Sequence, residues 1–226
     1  MTFKKDWWKF LGGLLILYSI VAGLLIRVPE LPIIHESIRN LFYHVCMWFA
    51  MIIILGISFV NSIKYLRNMN RDTDVLASQA AYTGLLFGFL GITTGMIWAN
   101  FTWGQPWVND PQLNGAAVSI LIYLAYAVLR GSIDEEQKRA RISAVYNIFA
   151  FVLLIVFIGI LPRLAEASIH PGKGGNPGLG VKGLDSMMRL VFYPAIAGWV
   201  IMGVWIWKIR VRMVKMKTAL IEHTEL

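Results

Sequence analysis

Cysteine is nearly absent from this chain and charge is scarce. A single cysteine, Cys46, among 226 residues excludes an intramolecular disulfide and any Cys-x-x-Cys redox pair. It falls inside an apolar run, where a small buried thiol is the ordinary meaning. Only 15% of the residues are charged while 57% are hydrophobic, a balance that a water-soluble domain of this length does not have. No Gly-x-x-x-x-Gly-Lys-Ser/Thr loop occurs, so this chain does not itself use ATP. No His-x-x-x-His pair or cysteine cluster supports a zinc or copper site. The middles of the apolar runs hold almost no polar or charged residues, which speaks against a transport path.

What the chain does have is length in its apolar runs. Six segments, at about 8–26, 41–60, 79–98, 114–129, 144–161 and 187–207, approach the roughly 20 residues that cross a bilayer. Their continuous hydrophobicity suits helices, not the alternating strands of an outer-membrane barrel. The expected fold is therefore an all-α integral membrane protein with six transmembrane helices. The first run follows Lys4, Lys5 and Lys9 but lacks a small-residue cleavage site, and is read as a retained helix. Of the 21 lysines and arginines, six (Arg27, Arg39, Arg163, Lys173, Lys182 and Arg189) fall on one side of the membrane. The positive-inside rule then places both termini in the cytoplasm. The organisation expected is one six-helix membrane domain over 1–226. An outer tryptophan-rich loop occupies 99–113, an outer histidine-containing loop 163–186, and a cytoplasmic basic tail 208–226. That tail suits attraction to anionic membrane lipid and not nucleic acid.

Two outer features stand out. The stretch "IWANFTWGQPWVNDPQ" places Trp98, Trp103 and Trp107, three of the nine tryptophans, beside Gly104, Pro106 and Asp110. Such density exceeds an interfacial aromatic belt and suits a platform for a ligand. Asp110 stands where a carboxylate would cap the fourth helix. The second feature is histidine. His44 falls about one turn inside the second span, where an ionisable side chain marks a candidate functional site. Trp48 and Met51 share its helix face, and Arg39 is expected near that face, one turn outward. His170 lies in the Gly- and Pro-rich third outer loop. Two imidazoles from separate elements suit the axial positions of a haem iron, and the aromatic loop favours a large planar cofactor over a bare ion. The third span carries Gly84, Gly88, Gly91 and Gly95, a spacing that lets helices approach closely; it predicts a helix inside the bundle that delivers Trp98 to its centre.

Trp103, Gly104, Trp107, Asp110 and Pro111 resemble the tryptophan-rich (WWD) signature of membrane haem-handling proteins of cytochrome c biogenesis. The six spans, the signature between spans three and four, and a histidine on either side of it are similar to the haem exporter C component of the CcmC/CcsA family. The resemblance covers roughly 39–207. It implies a haem-binding and delivery protein, not an enzyme, in the bacterial inner membrane with its working loops on the periplasmic side. Non-covalent, b-type haem would be held by His44 and His170 as axial ligands, with Trp98, Trp103, Gly104, Trp107, Asp110 and Trp48 around it and Arg39 on a propionate. The implied partners are a periplasmic haem chaperone and an ABC transporter complex of cytochrome c maturation. The rival readings are a synthase-type haem lyase that attaches haem to apocytochrome, and a membrane transporter. The chain departs from the family's pattern at Pro106 and Asn109, where tryptophan is common, and at Gln112, where an arginine would serve a propionate.

Overall fold

The computed structural model describes residues 3–30, 34–171 and 184–224. Lys173 and Lys182, part of the expected loop 163–186 and the last two residues of the expected tail lie outside the described residues. The described residues form helices joined by short irregular segments, without strands: α1 (Phe3–Leu25), a 3-10 helix (His35–Phe42), α2 (His44–Asn68), α3 (Arg71–Trp103), α4 (Pro111–Gly131), α5 (Glu136–Leu154), a π-helical segment (Ile155–Ile160), α6 (Leu161–Leu164) and α7 (Ser186–Thr224). Among the described residues six helical stretches are long and apolar enough to cross a membrane, as the sequence predicts.

The helices run past the hydrophobic boundaries read from sequence because their ends are capped by polar chemistry. Asn70 accepts from the Asp72 N–H at the start of α3, and Asp72 and Asp74 complement the positive helix terminus. At its far end α3 continues to Trp103, so the first five residues of the expected loop 99–113 are helical. Gly104 stops it in the left-handed region at φ 78°, a conformation that favours glycine. The expected basic tail is likewise mostly helix, a continuation of α7.

The α2–α3 pair forms the centre, and its seam explains the glycines. On α3 the residues Gly84, Gly88, Gly91 and Gly95 follow a four-three-four spacing. Antiparallel to them, α2 offers Leu55, Met51, Trp48 and His44 at the same intervals. Each glycine faces one of these large side chains in turn. A Cβ on Gly88 would stand 2.9 Å from Met51 Sδ, on Gly91 2.9 Å from Trp48 Cε2, and on Gly95 2.6 Å from His44 Cε1. The small-residue spacing therefore does more than bring two helices close: its last rung seats the candidate ligand.

The span predicted at 144–161 is not one regular helix. Pro162 has no N–H to return to Ile158 and would crowd that carbonyl in an α-helix. The chain widens instead, and the Leu161 N–H reaches back to Val156 O. Gly115 of α4 lies against the backbone carbonyl of Phe157 in this widened turn. Such π segments recur at functional sites.

The interior also holds more polar chemistry than the hydropathy suggests. Asn147 Nδ2 donates to Ser58 Oγ and Ser62 Oγ at 2.8 Å each, and Ser58 passes the chain on to Ala77 O at 2.7 Å. This group ties α5, α2 and α3 together and lies outside the lining of the cavity described below. At the end of the bundle where α3 begins, Arg130 forks onto both oxygens of Asp74 at 2.8 and 2.6 Å. Lys215 pairs with Asp72 at 2.8 Å there.

Candidate functional site

At the opposite end, where α3 finishes, a cavity of about 450 Å3 opens between the helices, within the range of roughly 300–1,000 Å3 typical of small-molecule sites. It is lined by His44, Trp48, Trp98, Trp103, Trp107 and His170, together with Ile, Leu and Phe side chains of α2, α3, α4 and the π segment. Both candidate imidazoles and all four candidate tryptophans thus meet at one chamber, drawn from three separate stretches of the chain.

His44 is fixed by its helix pair. Its ring packs edge-on to Trp48, centroids 6.2 Å apart, while Gly95 leaves room for the imidazole edge. His44 Nδ1 lies 3.2 Å from Thr94 Oγ1. The Thr94 hydroxyl has one proton, and it goes to the helix carbonyl of Leu90 at 2.7 Å. Its oxygen therefore accepts from His44, which makes Nδ1 the protonated nitrogen and leaves the Nε2 lone pair for a ligand.

His170 is fixed differently. It follows α6 on irregular backbone, and Asp110 holds that backbone in place. Asp110 Oδ1 caps α4 by accepting from the Gln112 N–H at 2.8 Å. Its other oxygen accepts from Ser168 Oγ at 2.7 Å and from the Ile169 N–H at 3.0 Å. The Ser168 hydroxyl then receives the His170 N–H at 3.1 Å. One buried carboxylate thus sets both the start of α4 and the approach of His170. Burial raises the Asp110 carboxyl, but the bonds from Ser168, Gln112 and Ile169 outweigh it and hold the group below the usual carboxylate value. Burial lowers His170, against the opposing pull of Asp110, so its imidazole is neutral at neutral pH.

Trp98 joins these parts. Its ring packs edge-on against Trp103 at 5.1 Å and against His170 at 6.2 Å between centroids. Its Nε1–H donates to Ser37 Oγ at 3.1 Å, reaching the 3-10 helix. Trp107 arrives after the Gly104 turn and lines the same chamber.

Three of the expected site residues stand outside the lining. Gly104 ends α3, and Asp110 acts through the backbone. Arg39 is a correction of placement. Residues 35–42 form a 3-10 helix and not a continuation of α2, so Arg39 does not share the face of His44. Its Nη1 donates to Gly23 O and Ile26 O at 3.0 and 2.6 Å, closing the end of α1, and its Nη2 pairs with Glu36 at 3.1 Å. The cation that does line the chamber is Arg163, from α6. In the sequence it stands out only as one of the outer-side charges; Pro162 beside it, at the end of a span, is the local signal. Among the described residues no group of three or more His, Cys, Asp and Glu side chains is placed to hold a bare ion.

Fold and site together define a multi-pass membrane protein with an aromatic, two-histidine chamber at one end of its helix bundle. The sequence model of the heme exporter protein C family matches residues 2–161, and the chain belongs to that family. Over 118 residues it is 28% identical to heme exporter protein C of Bradyrhizobium diazoefficiens, covering 52% of this chain and 45% of the relative. Over 84 residues it is 39% identical to cytochrome c biogenesis protein CcsA of Prochlorococcus marinus, covering 35% of this chain and 26% of the relative. The chain thus spans less than half the length of these curated relatives. The family match starts well before the expected residue 39 and stops before His170, whose place in the site rests on geometry.

Proposed function

We propose that this protein binds haem as a cargo in the chamber at the tryptophan-rich end and passes it on for the maturation of c-type cytochromes. The observation that carries this reading is the convergence of His44 and His170 on one aromatic-walled cavity. Their imidazoles would take the two axial positions of the iron. Trp98, Trp103 and Trp107 offer flat faces and edges to a planar macrocycle, and the aliphatic lining excludes water from it. Cys46, the single thiol, is packed against Phe42, Leu184 and Phe192 and does not line the chamber. Haem held here is therefore non-covalent, of b type, and membership of the heme exporter protein C family favours a carrier over an enzyme.

The two ligands differ in how firmly they are held, which suits a station that takes up and gives away its cargo. His44 belongs to the tightest helix seam, whereas His170 depends on the Asp110 clasp. Releasing the clasp opens one axial position without disturbing the other. The positive-inside count favours the non-cytoplasmic side for the chamber; in the bacterial inner membrane that side is the periplasm, where a periplasmic haem chaperone would receive the cargo. The family membership supports action beside the ABC transporter complex of cytochrome c maturation.

The test is a reduced-minus-oxidised spectrum of the purified protein, wild type against His44→Ala and His170→Ala. Wild type is expected to show a six-coordinate, low-spin haem, and each variant to lose it. Unchanged haem content and ligation in both variants would overturn the reading.

A further inference from the structure

The chamber is apolar nearly throughout, so the few polar side chains on its wall decide which way an amphipathic ligand faces. Resting on the haem reading above, we propose that Arg163 is the carboxylate anchor of the chamber and orients the cargo with its propionate edge towards α6 and the start of α4.

Four observations converge on Arg163. It lines the chamber, and among the described residues it is the cation that does so. No described carboxylate pairs with it, in contrast with Arg39, whose guanidinium is spent on Glu36 and on two carbonyls of α1. Its Nη1 lies 3.7 Å from where a Cβ on Gly159 would stand, so the guanidinium folds back over a position without a side chain, on the chamber wall. The register of the neighbouring helices supplies the fourth. Gly115 of α4 touches the Phe157 carbonyl, and α4 runs antiparallel to the segment that leads to Arg163. Gln112 on α4 and Arg163 beyond the π segment both lie outward of that contact, and both line the chamber. A guanidinium and an amide beside a helix N-terminus form a polar corner suited to carboxylate oxygens. The π turn before Pro162 is what sets this position, since it changes the rotation of the residues that follow it.

An arginine at the end of a span is ordinarily a snorkelling anchor for lipid headgroups. The experiment separates that role from the proposed one. Haem and its dimethyl ester, whose propionates carry no charge, are titrated into the full-length purified protein, Arg163→Gln and Arg39→Gln. Arg163→Gln is expected to weaken haem binding about tenfold to hundredfold, the loss of one charge-assisted bond, and to keep the six-coordinate spectrum of what remains bound. With the ester, wild type and Arg163→Gln are expected to bind alike, and Arg163→Lys to recover part of the loss with haem. Arg39→Gln should affect haem and ester equally. Equal affinity of wild type and Arg163→Gln for haem overturns the proposal, as does an equal loss with haem and ester. If His44→Ala and His170→Ala abolish the spectrum while Arg163→Gln is silent, only this inference fails. A wild type that binds neither haem nor ester overturns both.

Discussion

The two histidines of the chamber sit in opposite kinds of structure. His44 is a rung of a helix seam, with a glycine cut to its shape, a threonine setting its tautomer and a tryptophan against its edge. His170 stands on irregular chain, against which one carboxylate and one indole are placed. A packed interior resists small displacements because neighbouring side chains have nowhere to go, whereas a loop held by a few hydrogen bonds has few ways to compensate for losing one. The difference teaches that a single site can combine a preset ligand with a removable one, which a site built wholly on rigid helices does not offer.

The largest expected effect breaks the comparison at its ends. Removing His44 should cost more haem affinity than removing His170, and more than the roughly tenfold to hundredfold typical of residues that only support a metal ligand. Quantitative titration of the two alanine variants checks the order; the reverse order would deny that His44 is the preset partner. Next comes Gly95→Ala, whose Cβ would meet the His44 ring at 2.6 Å. It should destabilise the protein by about 1–3 kcal/mol through overpacking and alter the ligand spectrum. Gly91→Ala, aimed at Trp48, should cost similar stability with less change at the iron. Thermal unfolding and absorption spectra of both variants separate stability from ligation.

Asp110→Asn should come third. An amide has one acceptor oxygen, so it serves the α4 cap or the Ser168–Ile169 clasp and not both. We expect haem affinity to fall by about tenfold, the equivalent of about 1.4 kcal/mol, with near-normal melting. The smallest effect is that of pH. The His170 pKa is depressed, so the contribution of its neutral form is complete above the ordinary histidine value of about 6.5. It is lost only as pH falls through the lowered value. The clasp persists further, since Asp110 is also depressed and loses its charge only below the ordinary carboxylate range. Haem retention should therefore be flat from about pH 7.5 to 6.5 and decline below it. Asp110→Asn removes a charge that raises His170, so the decline should move to lower pH in a spectroscopic titration.

Much of this was legible beforehand. Continuous apolar length made the six helices plain, since a lipid-facing backbone has no alternative to bonding itself. The four-three-four spacing of Gly84 to Gly95 and the shared face of His44, Trp48 and Met51 could each be read from periodicity. That these two faces are one another's partners could not, because periodicity describes one helix at a time. Arg39 shows the same limit in another form: α-helical spacing places it near the face of His44, and a 3-10 helix with a break at Tyr43 turns it to α1 instead. Arg163 was hidden because the rotation after a π turn depends on how Pro162 is accommodated.

By itself the sequence determined the membrane class, the helix count and the residue types able to form the site, because hydropathy and small-residue spacing act locally along the chain. Tertiary structure decided which of those residues share the chamber. Facing side chains, a carboxylate that bridges α4 and the His170 segment, and the loss of Arg39 to another helix end are relations between distant segments. Only packing in three dimensions sets them.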